Sequence, residues 1–188
     1  MAGLHAFTWL CTVIICMAHV SSMPTTCRLQ KRLMERCHDI LEKMGDRFPL
    51  HCLEGNVLVP FPEAAFQFNT SQQAVALEKT IYLTLTSISS LFDEDGVPDQ
   101  WKNLEDFQNI IYRQIEENEC IMNKTQDSQE DFLRREKVLK EYFNKISAVL
   151  KEKNFQVCGW EFVRKEALIT LQFILNKDVE GVLFSSRG

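Results

Sequence analysis

Apolar side chains recur at three- and four-residue intervals along five stretches of the chain, which is the spacing of amphipathic α-helices. The stretches cover about 27–44, 70–92, 98–120, 131–152 and 156–175. The middle of the second stretch, 81–86, also alternates like a strand, but its strongly helix-forming flank at 71–79 favours a helix. Gly45 is expected to end the first helix, and Pro98 is expected to begin the third. The sequence therefore predicts an all-α fold.

A long connection separates the first two helical stretches. It runs over 46–69 and contains three of the five prolines of the chain, Pro49, Pro60 and Pro62. An ordinary connection between neighbouring helices is much shorter, so this length indicates a crossover from one end of a bundle to the other. Such crossovers are typical of helical cytokines, whereas simple up-and-down bundles use short loops.

The beginning of the chain has the composition of a secretory signal. Residues 1–22 contain no Asp, Glu, Lys or Arg, and 10–20 is almost wholly apolar. The small residues Val20 and Ser22 fit a cleavage site after position 22. The apolar run is too short for a stable membrane span of about 20 residues. We therefore predict a signal peptide at 1–22, one extracellular domain at 23–188, and no insertion into the membrane.

Five cysteines follow the predicted signal peptide: Cys27, Cys37, Cys52, Cys120 and Cys158. In an oxidising compartment, widely spaced cysteines indicate disulfides, but spacing alone leaves their pairing open. Because the number is odd, one cysteine should stay free or pair with another chain. Cys37 is in helical register with Leu33, Ile40 and Leu41, and we expect it to be a buried free thiol. An intermolecular disulfide and a different framework are the alternatives.

Charge and motifs argue against several other functions. The formal net charge is −5, so the chain has no general attraction for nucleic acid or anionic membranes. His38 and His51 are the only histidines after residue 22, and neither lies at the ligand spacing of a structural zinc site. No phosphate loop, nucleophile elbow or paired metalloprotease histidines occur. We expect no enzymatic activity, no metal and no cofactor. Sequons predict glycosylation at Asn69 and Asn123.

Three features resemble the type I interferon family. The segments YFNKI (142–146), LKEK (150–153) and CGWEFVR (158–164) are similar to its signature, which joins an aromatic pair in the fourth helix to a Cys-small-Trp-Glu sequence in the fifth. The cysteines at 27, 52, 120 and 158 are spaced as in the fish form with four framework cysteines. The segment FPEAAF (61–66) resembles the end of the first crossover loop of the family. The resemblance covers essentially the whole chain after the signal peptide.

The resemblance implies an architecture and a disulfide pairing. The fold would be an interferon-like bundle of five main helices with a long first crossover loop. Its two disulfides would be Cys27–Cys120 and Cys52–Cys158. Each bridge would restrict the unfolded chain by up to about 4–5 kcal/mol. A crossover loop fixed in this way would be a preformed recognition surface.

The resemblance also implies a function. The protein would be a secreted antiviral cytokine, a monomer, that binds and bridges the two chains of a class II cytokine receptor. Bridging would trigger JAK–STAT signalling and the induction of antiviral genes. The alternatives are another helical cytokine, of the growth-hormone or interleukin-10 kind, and a secreted helical carrier with an apolar cavity.

One receptor chain would contact the first helix, the crossover loop and the fifth helix. The family pattern places five residues in this interface: Leu53, Asn56, Arg164, Lys165 and Leu168. Arg164, Leu168 and Gln172 share a helix face separate from the apolar stripe, so we expect them to point outward. Replacing Leu168 or Arg164 with alanine should then weaken receptor binding without changing the fold.

Other positions complete the expected site. The second receptor chain would contact the second, third and fourth helices, and the pattern assigns Tyr112 to this surface. A purely structural role for Tyr112 is the alternative. Asn56 and Ile169 depart from the family, because mammalian members have basic residues at these positions. We expect Trp160 to lie in the core, and Glu161 to be exposed or to cap a helix.

Overall fold

The structure is a computed structural model that describes residues 27–45, 47–53, 55, 57–67, 73–125 and 129–177. Over these residues it contains five α-helices: α1 (Lys31–Met44), α2 (Ala74–Phe92), α3 (Leu104–Glu117), α4 (Gln129–Glu152) and α5 (Val157–Lys177). Short 3-10 turns lie at Leu50–Cys52, Glu63–Phe66 and Glu119–Asn123. The predicted all-α bundle of five main helices with a long first crossover is confirmed. The predicted signal peptide, Asn56 and Asn69 lie outside the described residues.

The five helices form a ring in which each has two main neighbours. Helix α1 packs on α3 and α5, α2 packs on α3 and α4, and α4 also packs on α5. The crossover loop ends in the 3-10 turn Glu63–Phe66, which packs on α2 and α4. Among the described residues, no helix is both long and apolar enough to span a membrane.

Aromatic side chains fill one end of the core. Phe92, Trp101, Phe107 and Trp160 contact one another with ring centroids 4.8–6.2 Å apart, in tilted and edge-to-face arrangements. Trp160 is fully buried, so its predicted core position is confirmed. Such pairs stabilise a core beyond the area that they bury. The cluster joins α2, α3 and α5 with the connection that precedes α3.

Helix α2 buries polar side chains because its hydroxyls are satisfied within the helix. The hydroxyl of Thr80 donates to the Ala76 carbonyl at 2.7 Å, and that of Thr84 donates to the Thr80 carbonyl at 2.8 Å. A hydroxyl bonded to the carbonyl four residues earlier needs no partner outside the helix. The alternating segment 81–86 lies within α2 and is helical, as predicted.

Two predicted helix starts are wrong. Helix α1 begins at Lys31 rather than near residue 27, because the preceding segment is held against α3 in an extended form: the backbone N–H of Gln30 donates to the Gln114 side-chain carbonyl at 3.2 Å. Helix α3 begins at Leu104 rather than at Pro98. Asn103 has a φ of 62°, and this left-handed conformation interrupts any helix that enters from Pro98.

Candidate functional site

Two disulfides connect distant parts of the chain. Cys27–Cys120 joins the segment before α1 to the turn after α3, and Cys52–Cys158 joins the crossover loop to the first turn of α5. These are the pairs that the family resemblance implies. The loops that they close span 93 and 106 residues, so both bridges greatly restrict the unfolded chain.

The crossover loop is fixed at a second point, near its end. The ring of Phe61 stacks on Phe66 at 5.6 Å and lies 4.8 Å from the ring of Phe173 on α5. Phe61 also meets the edge of Tyr142 on α4 at 5.7 Å. The Tyr142 hydroxyl donates to Glu166 Oε2 at 2.9 Å, which holds α4 against α5 beneath the loop. The loop is thus attached to α5 at both ends of that helix.

Between these two attachments the loop exposes apolar side chains. Leu53 is 52% exposed and Leu58 is 87% exposed. Lys153 Nζ donates to the Gly55 carbonyl at 2.7 Å, which adds one polar contact between the loop and the turn that follows α4. Large apolar groups held in water on an ordered backbone are typical of a protein-binding surface.

A shallow cleft opens where the start of the loop faces α5. It is lined by Glu42, Gly45, Arg47, Phe48, Arg164, Lys165 and Leu168. Lys165 Nζ lies 5.9 Å from the Phe48 ring centroid and 3.3 Å from Glu166 Oε1. Leu168 is half-buried beside it. We call Arg47, Phe48, Leu53, Lys165 and Leu168 the loop–α5 face.

The prediction that Arg164 points outward is wrong. Its side chain is 7% exposed and forms an ion pair with Glu161 on the same helix. Arg164 Nε and Nη2 donate to Glu161 Oε2 at 3.0 and 2.7 Å, and Nη1 donates to the Leu41 carbonyl at 3.1 Å. Helical register correctly separated Arg164 from the apolar stripe. The end of α1 and the start of the loop nevertheless cover that face of α5.

Glu161 is also buried, contrary to the expectation that it is exposed or caps a helix. Its second carboxylate oxygen, Oε1, accepts a hydrogen bond from Trp101 Nε1 at 3.2 Å. The sequence shows only a Glu and an Arg three residues apart, a spacing usual for exposed helix pairs. The burial of both partners is the one signal that distinguishes this pair, and it requires the tertiary structure.

The remaining predicted contact residue lies on another face. Tyr112 is 61% exposed on α3, whose main neighbours are α1 and α2. Helix α2, which packs on α3, carries the partly exposed Tyr82 and Thr86 and the exposed Ser90, and its charged residues Glu78 and Lys79 are buried. An exposed tyrosine is a suitable anchor for a protein partner.

The predicted sequon at Asn123 lies on the surface, at the end of the 3-10 turn Glu119–Asn123. Asn123 and Thr125 are both exposed. Lys124 between them forms an ion pair with Glu78 of α2, so the sequon is attached to the bundle by its middle residue.

Cys37 lies on α1 as a free cysteine and is buried in the core of the bundle, as predicted. Burial raises the pKa of its thiol to about 12 from an ordinary value of 9.0, although the nearby Arg36 lowers that pKa slightly. Burial disfavours the charged thiolate, which is the nucleophilic form. The folded protein therefore holds this thiol in an unreactive state.

We expect iodoacetamide to leave Cys37 unmodified in the folded protein at pH 8. At that pH the raised pKa lowers the thiolate fraction about a thousandfold, and burial blocks access in addition. Mass spectrometry should detect one carbamidomethyl group only after denaturation without reductant. Because the pKa is higher in the folded state, the contribution of Cys37 to stability should be complete below pH 9 and should be lost as the pH rises towards 12. Rapid labelling of the native protein would contradict this burial.

The fold and the two surfaces define a class of protein. A five-helix bundle with a long crossover loop, fixed by two disulfides and carrying exposed apolar side chains, has the architecture of a helical cytokine. The family model of the interferon alpha/beta domain matches residues 27–177. The chain therefore belongs to the interferon alpha/beta family, and the predicted family is confirmed.

Individual relatives agree with this assignment. Interferon alpha-7 of Homo sapiens is 28% identical over 162 residues, covering 82% of each chain. Interferon a3 of the trout Oncorhynchus mykiss is 32% identical over 141 residues, covering 71% of each chain. The solved structure of zebrafish interferon 2 superposes with a TM-score of 0.75 at 38% identity, covering 78% of this chain and 97% of that one. The chain thus resembles the fish members of the family, and the alternatives of another cytokine or a carrier no longer apply.

Proposed function

We propose that this protein is a secreted antiviral cytokine that binds two chains of a class II cytokine receptor and holds them side by side. Kinases associated with the two chains would then activate JAK–STAT signalling and antiviral genes. Family membership supports the cytokine identity. Two long-range disulfides suit an oxidising, extracellular environment.

The observation that carries the bridging proposal is the separation of two exposed surfaces on one rigid bundle. The loop–α5 face lies on α5 and the crossover loop, whereas Tyr112 lies on α3 between α1 and α2. A molecule with two such surfaces can hold two proteins at once without any chemical step. We assign one receptor chain to Leu53, Asn56, Lys165 and Leu168, and the other to the surface around Tyr112.

Glycosylation at Asn123 and Asn69 is part of the same proposal. The exposed sequon at Asn123 belongs to a turn at the end of α3, next to Cys120. A glycan at this position would project from one end of the bundle, away from the Cys52–Cys158 bridge at the start of α5.

We expect Leu53→Ala to weaken binding to one receptor chain about tenfold, which corresponds to about 1.4 kcal/mol for an interface anchor. Binding to the other chain should be unchanged. Tyr112→Ala should give the reverse pattern. Surface-affinity measurements with each receptor ectodomain separately would check both variants, and an antiviral reporter assay would check their activity.

A matched control is available in Leu133, which is 51% exposed on α4, against 52% for Leu53. Leu133→Ala removes the same type of side chain at nearly the same exposure. It should not affect binding of the receptor chain that we assign to the loop–α5 face. The proposal of two distinct binding surfaces is refuted if Leu53→Ala and Tyr112→Ala bind both ectodomains like the unsubstituted protein. It is also refuted if each variant weakens binding to both receptor chains equally.

A further inference from the structure

We propose that Arg164 is a positioning residue for the loop–α5 face. Its buried ion pair with Glu161 fixes the start of the crossover loop, and receptor binding depends on this pair without any contact between Arg164 and the receptor. The inference rests on the proposed function, in which the loop–α5 face binds a receptor chain. It assigns Arg164 a role different from the direct contact that the family pattern implies.

The first support is the connection of Arg164 to the end of α1. Arg164 Nη1 donates to the carbonyl of Leu41, and α1 ends at Met44. The last four carbonyls of a helix have no partner within it, so the guanidinium satisfies one of them. Its positive charge also lies at the negative end of the α1 dipole. Arg164 thus determines where α1 stops relative to α5.

The second support is the connection of Glu161 to the segment before α3. Oε1 of Glu161 accepts from Trp101, while Oε2 accepts from Arg164. The backbone N–H of Lys102 donates to the Met44 carbonyl at 3.4 Å. The carboxylate therefore ties together α5, the end of α1 and the connection between α2 and α3.

The third support is the path of the loop across the ion pair. Gly45 is the first residue after α1, and a Cβ built there would lie 3.1 Å from both Arg164 Nε and Glu161 Oε1. The backbone at Gly45 is extended, with a φ of −118°, so it is the close approach and not the dihedral angle that favours glycine. The loop thus begins in direct contact with the ion pair, two residues before Arg47.

The position of Gly45 sets the positions of the face residues that follow. Arg47 and Phe48 form one side of the cleft, and Lys165 and Leu168 form the other. Lys165 follows Arg164 directly on α5, and its Nζ approaches the Phe48 ring. A shift at the ion pair would therefore change the distance across the cleft that the receptor must match.

Burial separates Arg164 from the residues that can contact a receptor. The side chains of Arg164 and Glu161 are 7% and 6% exposed, whereas that of Lys165 is 31% exposed. The carboxylate neutralises the guanidinium, so Arg164 adds little to the long-range field that steers a charged partner. Lys165 is also paired, with Glu166, but its side chain is partly exposed, so a receptor can contact it directly and it provides the matched control.

The test compares Glu161→Gln, Arg164→Met, Gly45→Ala and Lys165→Met by two measurements. Hydrogen–deuterium exchange reports on the amides of 47–53, and surface affinity reports on the two receptor ectodomains. In Glu161→Gln and Gly45→Ala we expect at least about tenfold faster exchange of 47–53, since local opening follows the lost contacts. Binding at the loop–α5 face should fall about tenfold in both variants, and binding at the Tyr112 surface should be unchanged.

Lys165→Met should weaken binding at the loop–α5 face without faster exchange of 47–53. The difference in affinity from the unsubstituted protein should shrink as salt concentration rises. The double variant Glu161→Gln/Arg164→Met should bind within about twofold of Glu161→Gln, because both changes break one unit. The conservative variant Arg164→Lys should also show faster exchange of 47–53 and lower affinity than the unsubstituted protein. Lys lacks the planar fork that reaches both Glu161 and the Leu41 carbonyl.

Three outcomes would overturn the proposal. Unchanged exchange and affinity in Glu161→Gln, with lost affinity in Arg164→Met, would mean that Arg164 contacts the receptor directly. Equal loss at both receptor surfaces would mean that the ion pair supports only the fold as a whole. If neither ectodomain binds the unsubstituted protein, the proposed function fails. Unchanged exchange of 47–53 in Glu161→Gln would then separately overturn the positioning role.

Discussion

Replacing Cys52 and Cys158 together by alanine is expected to lower the free energy of unfolding by up to about 4–5 kcal/mol. This bridge closes a loop of 106 residues, so its loss frees a large ensemble of unfolded conformations. The change equals a large share of the whole stability of a typical domain. It also releases the crossover loop from α5, so binding at the loop–α5 face should weaken by more than the stability loss alone explains.

The other disulfide supplies the control for this prediction. Cys27–Cys120 spans 93 residues, so removing it should lower stability by nearly the same amount. Cys27 precedes α1, however, and does not hold the crossover loop. Denaturant unfolding followed by circular dichroism should give similar losses for the two paired variants. Only the Cys52/Cys158 variant should lose affinity at the loop–α5 face under conditions where both remain folded.

Equal affinity losses in the two paired variants would contradict the local role of Cys52–Cys158. Replacing both cysteines of each bridge is necessary, because a single replacement leaves a new thiol. That thiol could exchange with the remaining disulfide or with Cys37 once the chain opens.

The number of helices and the crossover could be predicted because they depend on local patterns. The stripes of α4 and α5 recur over many turns, and 46–69 is too long for a direct connection. The pattern is least decisive in helix α2, since 81–86 alternates like a strand. Its length and flanking sequence favoured a helix, and hydroxyls such as that of Thr84 bond within it. Local propensity and tertiary packing agree there.

The errors have a different physical origin. Helical register shows which side of α5 faces the centre of the bundle, but it does not show that α1 and the loop cover an adjacent side. Sequence patterns alone therefore place Arg164 and Glu161 on the surface. The predicted start of α3 is wrong because Pro98 is suitable for a first turn. Asn adopts the left-handed conformation more readily than most residues, but only the tertiary structure shows that Asn103 does so. Both errors involve conformations that are set by contacts between distant segments.

The two binding surfaces differ in how they are supported. Tyr112 projects directly from α3, so its position follows from the packing of the bundle. The loop–α5 face depends on three separate contacts of the crossover loop: the Cys52–Cys158 bridge, the aromatic cluster of Phe61, and the ion pair beneath Gly45. Local changes can therefore weaken one receptor contact and leave the other intact.

A second large effect is expected at the two tryptophans of the aromatic cluster. Trp101→Phe should lower the free energy of unfolding by about 3 kcal/mol, whereas Trp160→Phe should lower it by only about 1–2 kcal/mol. Burial alone predicts the opposite order, because Trp160 is fully buried and Trp101 is slightly exposed. The rings are in edge-to-face contact at 6.2 Å, so both substitutions remove a similar volume from one cluster.

Hydrogen bonding determines the expected order. Trp101 Nε1 donates to Glu161 Oε1. In Trp101→Phe this buried oxygen, whose carboxylate also forms the ion pair, loses its donor. The indole N–H of Trp160 has no hydrogen-bond acceptor among the described residues, so phenylalanine there removes an unsatisfied donor. Chemical unfolding followed by far-ultraviolet circular dichroism avoids the altered fluorescence. If Trp160→Phe lowers the free energy of unfolding by as much as Trp101→Phe or by more, packing around Trp160 outweighs the contact between Trp101 and the carboxylate.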